Sequence, residues 1–147
     1  MRIGVHVRVG AGYVAAIEYA KRVKCTAIQI FSSNPRSYRT SPVNRPALEA
    51  FRKMRVEAGI DPCVIHTPYL INLASVNEKI ATGSLALLRF DLEAAEAGGI
   101  RYVNTHLGSY GKGDRNEGFA QACRLLEQAL EGIAPGVTLV MENSAGA

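Results

Sequence analysis

The 147-residue chain predicts a parallel α/β fold assembled from β/α units. Three observations carry that expectation. Five short runs rich in Ile, Val and Tyr recur along the chain, amphipathic helical periods separate them, and no linker or low-complexity stretch interrupts the alternation. Residues 1–147 therefore read as a single domain.

The first run, Arg2–Arg8, starts almost at the amino terminus and is followed by Gly10-Ala11-Gly12. Val14, Ile17, Ala20 and Val23 then recur at helical spacing and lead to the second run, Ala27–Phe31. Leu48, Phe51, Met54 and Ala58 form the next stripe, with Pro46 in the first turn, where its missing N–H costs nothing. Pro62–His66 is the third strand. Ser75-Val76-Asn77-Glu78 has the spacing of a capping box, with Ser75 as the expected N-cap. Ala81, Leu85, Leu88, Leu92 and Ala95 step by four and three, and Gly98-Gly99 ends that helix. Tyr102–His106 is the fourth strand. Phe119, Cys123, Leu126, Leu130 and Ile133 repeat the same period before the fifth strand, Val137–Glu142.

Two architectures fit this alternation: an open doubly wound sheet, or the first five strands of an eight-stranded (β/α) barrel. A doubly wound nucleotide-binding domain would carry G-x-G-x-x-G after its first strand. Here Ala15 replaces the third glycine, and Ser32-Ser33-Asn34 stands where a ribose-binding acid belongs. Nucleotide binding is poorly supported.

Composition excludes several classes. A hydrophobic share of 48% and a charged share of 20% rule out a wholly disordered or fibrous chain. No apolar run approaches the roughly 18 residues of a spanning helix, and the start goes straight into a strand pattern. The expectation is a soluble, cytoplasmic protein with no membrane partner. Cys25, Cys63 and Cys123 are odd in number and far apart, which excludes a disulfide framework or a C-x-x-C zinc knuckle, so buried reduced thiols are expected. The net charge of +4 divides into +8 over residues 1–60, with 11 basic and 3 acidic side chains, and −4 over residues 61–147, with 6 and 10. The basic segment suits a polyanion, and equally a solvated helix face.

The chemistry collects at strand ends. His6, His66 and His106 fall at or near the carboxyl ends of the first, third and fourth strands, and Glu142 closes the fifth. In parallel β/α folds that face carries the site, because βα loops and helix N-termini point there. Imidazole nitrogens and a carboxylate from separate strands can converge on one divalent ion. A lone strand-end histidine is ordinarily a hydrogen-bonding residue, and for His6 that reading stands. Serine-nucleophile catalysis lacks its G-x-S-x-G elbow, and Asp61, preceding its strand, belongs to the opposite face.

Four blocks resemble successive segments of the endonuclease IV family, zinc-dependent apurinic/apyrimidinic endonucleases of the xylose-isomerase-like TIM barrels. They are Gly4-Val5-His6-Val7, Ile65-His66-Thr67-Pro68-Tyr69-Leu70-Ile71-Asn72-Leu73, Asn104-Thr105-His106-Leu107-Gly108-Ser109 and Met141-Glu142-Asn143-Ser144-Ala145-Gly146. The second and fourth are the most specific. The resemblance implies a (β/α)₈ barrel that hydrolyses the phosphodiester 5′ to an abasic site with three Zn²⁺ ions. It implies that His66, His106 and Glu142 are metal ligands, with Glu142 the catalytic carboxylate shared between two metals. Asn34-Pro35-Arg36-Ser37-Tyr38 matches a loop that inserts an arginine into DNA, which gives that role to Arg36. Tyr69 and Leu70 match a pair that enters the duplex beside the flipped abasic nucleotide. From the residues alone, Tyr69-Leu70 would read as loop packing and Arg36 as a solvated charge.

Two departures follow. Tyr110 occupies a position where the family often has a second histidine. The family also continues through three further strands with the remaining metal ligands, so this chain resembles the amino-terminal half of the enzyme. At most one complete zinc site is expected from it, activity of the 147-residue chain is expected to be impaired, and open sheet edges predict self-association. The partner implied is double-stranded DNA with abasic sites. A sugar isomerase or epimerase of the same superfamily, or a catalytically silent metal- and DNA-binding fragment, are the alternatives.

Overall fold

A computed structural model of the chain describes residues 1–143. Nine elements alternate without exception: β1 (Gly4–Val7), α1 (Tyr13–Arg22), β2 (Ala27–Ile30), α2 (Arg45–Glu57), β3 (Cys63–His66), α3 (Glu78–Ala97), β4 (Tyr102–His106), α4 (Arg115–Leu130) and β5 (Thr138–Glu142). All strands are parallel and lie in the sheet in chain order, β1-β2-β3-β4-β5. A doubly wound sheet reverses its strand order part way; this one never does, so each right-handed crossover returns to the same side. The arrangement is five consecutive β/α units of a barrel wall.

The core lies between that wall and its helices. Val7, Ile30, Ile65 and Val103 form one row in register across four strands, each at most 2% exposed, beneath Phe51, Leu87, Leu88 and Leu92. The alternate residues, His6, Gln29, Val64 and Tyr102, with His66 and Asn104 one step further along, share the other face, which no helix covers. Had the inner face been the apolar one, Val5, Val7, Ile28 and Ile30 would have needed a partner there. Instead Val7, Ile28 and Ile30 are buried under helices, and only Val5, on the edge strand, is exposed.

Helix α3 begins at Asn77 rather than Ser75: the Asn77 side chain accepts from the Lys79 and Ile80 amides, while Ser75 Oγ accepts from the Asn77 amide. Asn44 caps α2 ahead of Pro46, and Asp114 caps α4. On α4 the expected stripe is displaced: Gly118, Ala122 and Ala129 are buried, whereas Phe119 is 70% exposed. Of the cysteines, only Cys63 is buried; Cys25 and Cys123 are half-buried, and all three are free. Burial raises the Cys63 thiol to about 12, so it stays protonated. Among the described residues no helix is long and apolar enough to cross a membrane.

Candidate metal centre

The carboxyl ends of β3, β4 and β5 bring His66, His106 and Glu142 together, one ligand atom from each within 4.8 Å of the others. Register explains the convergence. His106 pairs with Glu142, whereas His66 pairs with Asn104, two residues before His106, so the β4 and β5 donors stand level and His66 lies one same-face step below them. His66 Nε2 lies 3.4 Å and His106 Nε2 3.8 Å from Glu142 Oε2. Bonds of about 2.0–2.2 Å to a tetrahedral ion would put neighbouring ligand atoms roughly 3.3–3.6 Å apart. The His66–Glu142 separation falls in that range and the His106–Glu142 separation is slightly longer, so a small inward shift of His106 would complete the site. Two imidazoles with a carboxylate are the donor chemistry a Zn²⁺ ion takes.

Each donor is held by a neighbour. His66 Nδ1 donates to the Thr67 carbonyl at 2.7 Å, which fixes the tautomer and leaves Nε2 as the free lone pair. Thr67 is itself pinned by Thr105 Oγ1 at 2.9 Å. Asn104 Nδ2 donates to Glu142 Oε2. That hydrogen bond, helped by the two imidazoles, holds the Glu142 carboxyl below the usual carboxylate range. Asn104 escapes a reading of the sequence, although its two-residue offset from His106 puts both on one face.

His6 stands outside the triad but beside it. Gln29 Nε2 donates to its Nδ1 at 3.0 Å, and the Phe31 ring lies 4.3 Å away. Partial burial, with the positive charge that His66 can carry, lowers its pKa. Phe31 also meets His66 at 5.8 Å and Tyr69 at 5.2 Å, so an aromatic wall borders the cluster. In the sequence Phe31 is no more than the end of a strand.

Arg36, Tyr69 and Leu70 lie on the loops around this face rather than in the triad. Arg36 is exposed, Tyr69 is 70% exposed and Leu70 is half-buried. The turn carrying Tyr69 and Leu70 closes through the Ile71 amide on the Pro68 carbonyl, and the Asn34 carbonyl closes the turn carrying Arg36. Tyr110 packs on Gly118 of α4, beyond the cluster. The Ser144-Ala145-Gly146 end of the last sequence block lies outside the described residues. Asp61 sits at the opposite end of the sheet against Arg55, as its place before β3 requires.

Comparison with known proteins agrees with this arrangement. "Probable endonuclease 4" of Natranaerobius thermophilus is 37% identical over 147 residues, covering 100% of this chain and 52% of that protein. The crystal structure of endonuclease IV from Thermus thermophilus superposes with a TM-score of 0.82 at 35% identity, over 100% of this chain and 53% of that one. A xylose isomerase domain protein from Planctomyces limnophilus matches at TM-score 0.73 but 18% identity, over 99% of this chain and 55% of that chain, and so shares the fold alone. The chain spans about half the length of the curated relatives it matches. A family model described as xylose isomerase-like TIM barrel matches residues 17–147. With strands wound in unbroken order and strand-end donors on one face, the chain belongs to the xylose isomerase-like TIM barrel family.

Proposed function

We propose that this chain is the amino-terminal part of a metal-dependent endonuclease that cleaves DNA 5′ to abasic sites, with residues 1–147 forming one unit of its barrel. The observation that carries this reading is the convergence of His66, His106 and Glu142 from three strand ends, rimmed by the turns bearing Arg36 and Tyr69-Leu70. A sugar-transforming reading is not favoured, because identity to the endonuclease 4 relatives is about twice that to the xylose isomerase domain protein.

His66, His106 and Glu142 would hold a Zn²⁺ ion. Bound there, zinc would supply Lewis acidity and a water of lowered pKa for attack on phosphorus. The remaining steps belong to the chain's own residues. The Thr67 carbonyl keeps His66 in its ligating tautomer, and Asn104 keeps Glu142 ionised and oriented. Arg36 would offer charge and a planar fork to the phosphate backbone. Tyr69 would offer a flat face to stack in the gap an abasic nucleotide leaves, with Leu70 as its apolar companion. The reading assigns the protein to the cytoplasm, and the uncovered sheet edges would associate with further copies of the chain or with the rest of a barrel.

The test is elemental analysis of zinc on size-defined protein, with nicking of an abasic duplex measured in parallel. About one zinc per chain, lost in His66→Ala and in Glu142→Gln while the helical circular-dichroism signal persists, is the expected result. Feeble or absent nicking would accompany it. Zinc retained in both variants, or none in the unmodified chain, would sink the site.

A further inference from the structure

The two loops beside the metal centre are joined by one side chain. Asn34-Pro35-Arg36-Ser37 is a turn closed by the Ser37 amide on the Asn34 carbonyl at 3.2 Å, with proline at its second position. Its Asn34 Oδ1 accepts from the Arg36 amide at 3.0 Å, which fixes the arginine backbone at the tip. Pro68-Tyr69-Leu70-Ile71 is a second turn, closed at 3.2 Å, with Tyr69 and Leu70 at its tip. Tyr38, the residue after the first turn, donates its hydroxyl to the Leu70 carbonyl at 2.6 Å. Gly83 makes room for this. A Cβ at that position, inside α3, would lie 2.8 Å from Tyr38 Cδ1, so the ring rests against the bare helix backbone. Glycine inside a helix costs about 1 kcal/mol relative to alanine. The seat for the tyrosine ring is the contact that cost permits.

We propose that Tyr38 is a positioning residue that latches the Arg36 turn to the Tyr69-Leu70 turn, so that both meet a DNA duplex as one preorganised wedge. The inference rests on the reading above that these three residues contact DNA. Its physical content is separate. Two turns hinged independently would each have to be ordered on binding, and a hydrogen bond between them removes part of that cost beforehand. Behind the latch, Ser32 Oγ donates to Asp91 of α3, and Asn72 Oδ1 accepts from the Ser109 amide at 3.0 Å, so each loop is anchored to the scaffold on its far side.

The experiment uses the full 147-residue chain with two variants, Tyr38→Phe and Gly83→Ala. The first removes only the hydroxyl; the second displaces the ring while giving the helix a better former. Amide hydrogen exchange is followed at residues 36–39 and 69–71, and binding to a duplex with one abasic site is compared with the intact duplex by fluorescence anisotropy. The expected result is faster exchange in both loops at once, and a loss of about three- to tenfold in preference for the abasic duplex, the scale of one hydrogen bond. In a cycle with Arg36→Ala, the two losses should be less than additive. Unchanged exchange in both variants would overturn the latch whatever the DNA results. Faster exchange in protein whose unmodified form shows no abasic preference would overturn the role in DNA binding, and would place the fault in the reading of Arg36, Tyr69 and Leu70.

Discussion

Asp91 is the residue whose chemistry is furthest from ordinary. It is fully buried on α3, its Oδ1 accepts from Ser32 Oγ, and its Oδ2 has no partner. Burial raises its pKa to about 7, with the Ser32 hydrogen bond opposing the shift. The unfolded chain would lose that proton at about 3.9. Between those values the folded state holds more protons than the unfolded state, so stability falls as pH rises from about 4 to about 7 and levels off above. Asp91→Asn keeps an acceptor for Ser32 and abolishes the charge. It should melt several degrees higher than the unmodified chain at about pH 8 and close to it at about pH 4. Equal melting temperatures at the higher pH would mean that the carboxylate is solvated after all. Nothing in the sequence singles out Asp91, because a helix pattern places an acid on a face without revealing that a neighbouring loop seals it.

At the scale of elements, legibility depended on neighbours. The α2 and α3 stripes were readable because each helix is flanked on both sides: Leu48, Phe51, Leu88 and Leu92 are at most 2% exposed. On the outer helices α1 and α4 the same arithmetic misplaced residues, and Val14 and Phe119 are largely exposed. Periodicity marks a stripe, but burial needs something to pack on it. Loop geometry was hidden for a related reason. Gly108, with φ +85°, lies in the loop after β4 against Asn72, and a Cβ there would overlap the Asn72 side chain and backbone. Gly108→Ala is expected to cost more than about 2 kcal/mol in urea unfolding, combining left-handed strain with loss of the Asn72–Ser109 hydrogen bond. A midpoint unchanged from the unmodified chain would show that the β3–α3 and β4–α4 loops are not braced against each other.

Across the whole molecule, exposed apolar side chains gather at the two ends of the wall. Ile3, Val5, Val14, Tyr19 and Val23 belong to the β1/α1 end, and Phe119, Leu130, Val140 and Met141 to the α4/β5 end. A groove of about 730 Å³ lined by His6, Arg8, Tyr19 and Arg22 opens at the first. Arg22 and Lys24 lie at that end, where Lys21 is paired with Glu18, and Arg124, Glu127 and Glu131 lie beside Leu130 at the other. Strand edges left unpaired among the described residues, with exposed apolar side chains at both, favour joining one end to the other. Sedimentation velocity at rising concentration should therefore show dimers or larger species, reduced in a Val14→Ser, Phe119→Ser double variant. A monomer at every concentration would refute it.

The sequence by itself determined the alternation of five strands with four helices, the strand-end placement of His66, His106 and Glu142, and the resemblance of its blocks to one family. These are local or one-dimensional properties: the period of apolar residues, capping chemistry, and the order of motifs. Only the tertiary structure decided that the strands run in unbroken order, that the three ligand atoms converge, that Asn104 holds Glu142, and that Tyr38 ties two loops together. Register and loop contact join residues far apart along the chain, and such pairings leave no periodic trace in the sequence that makes them.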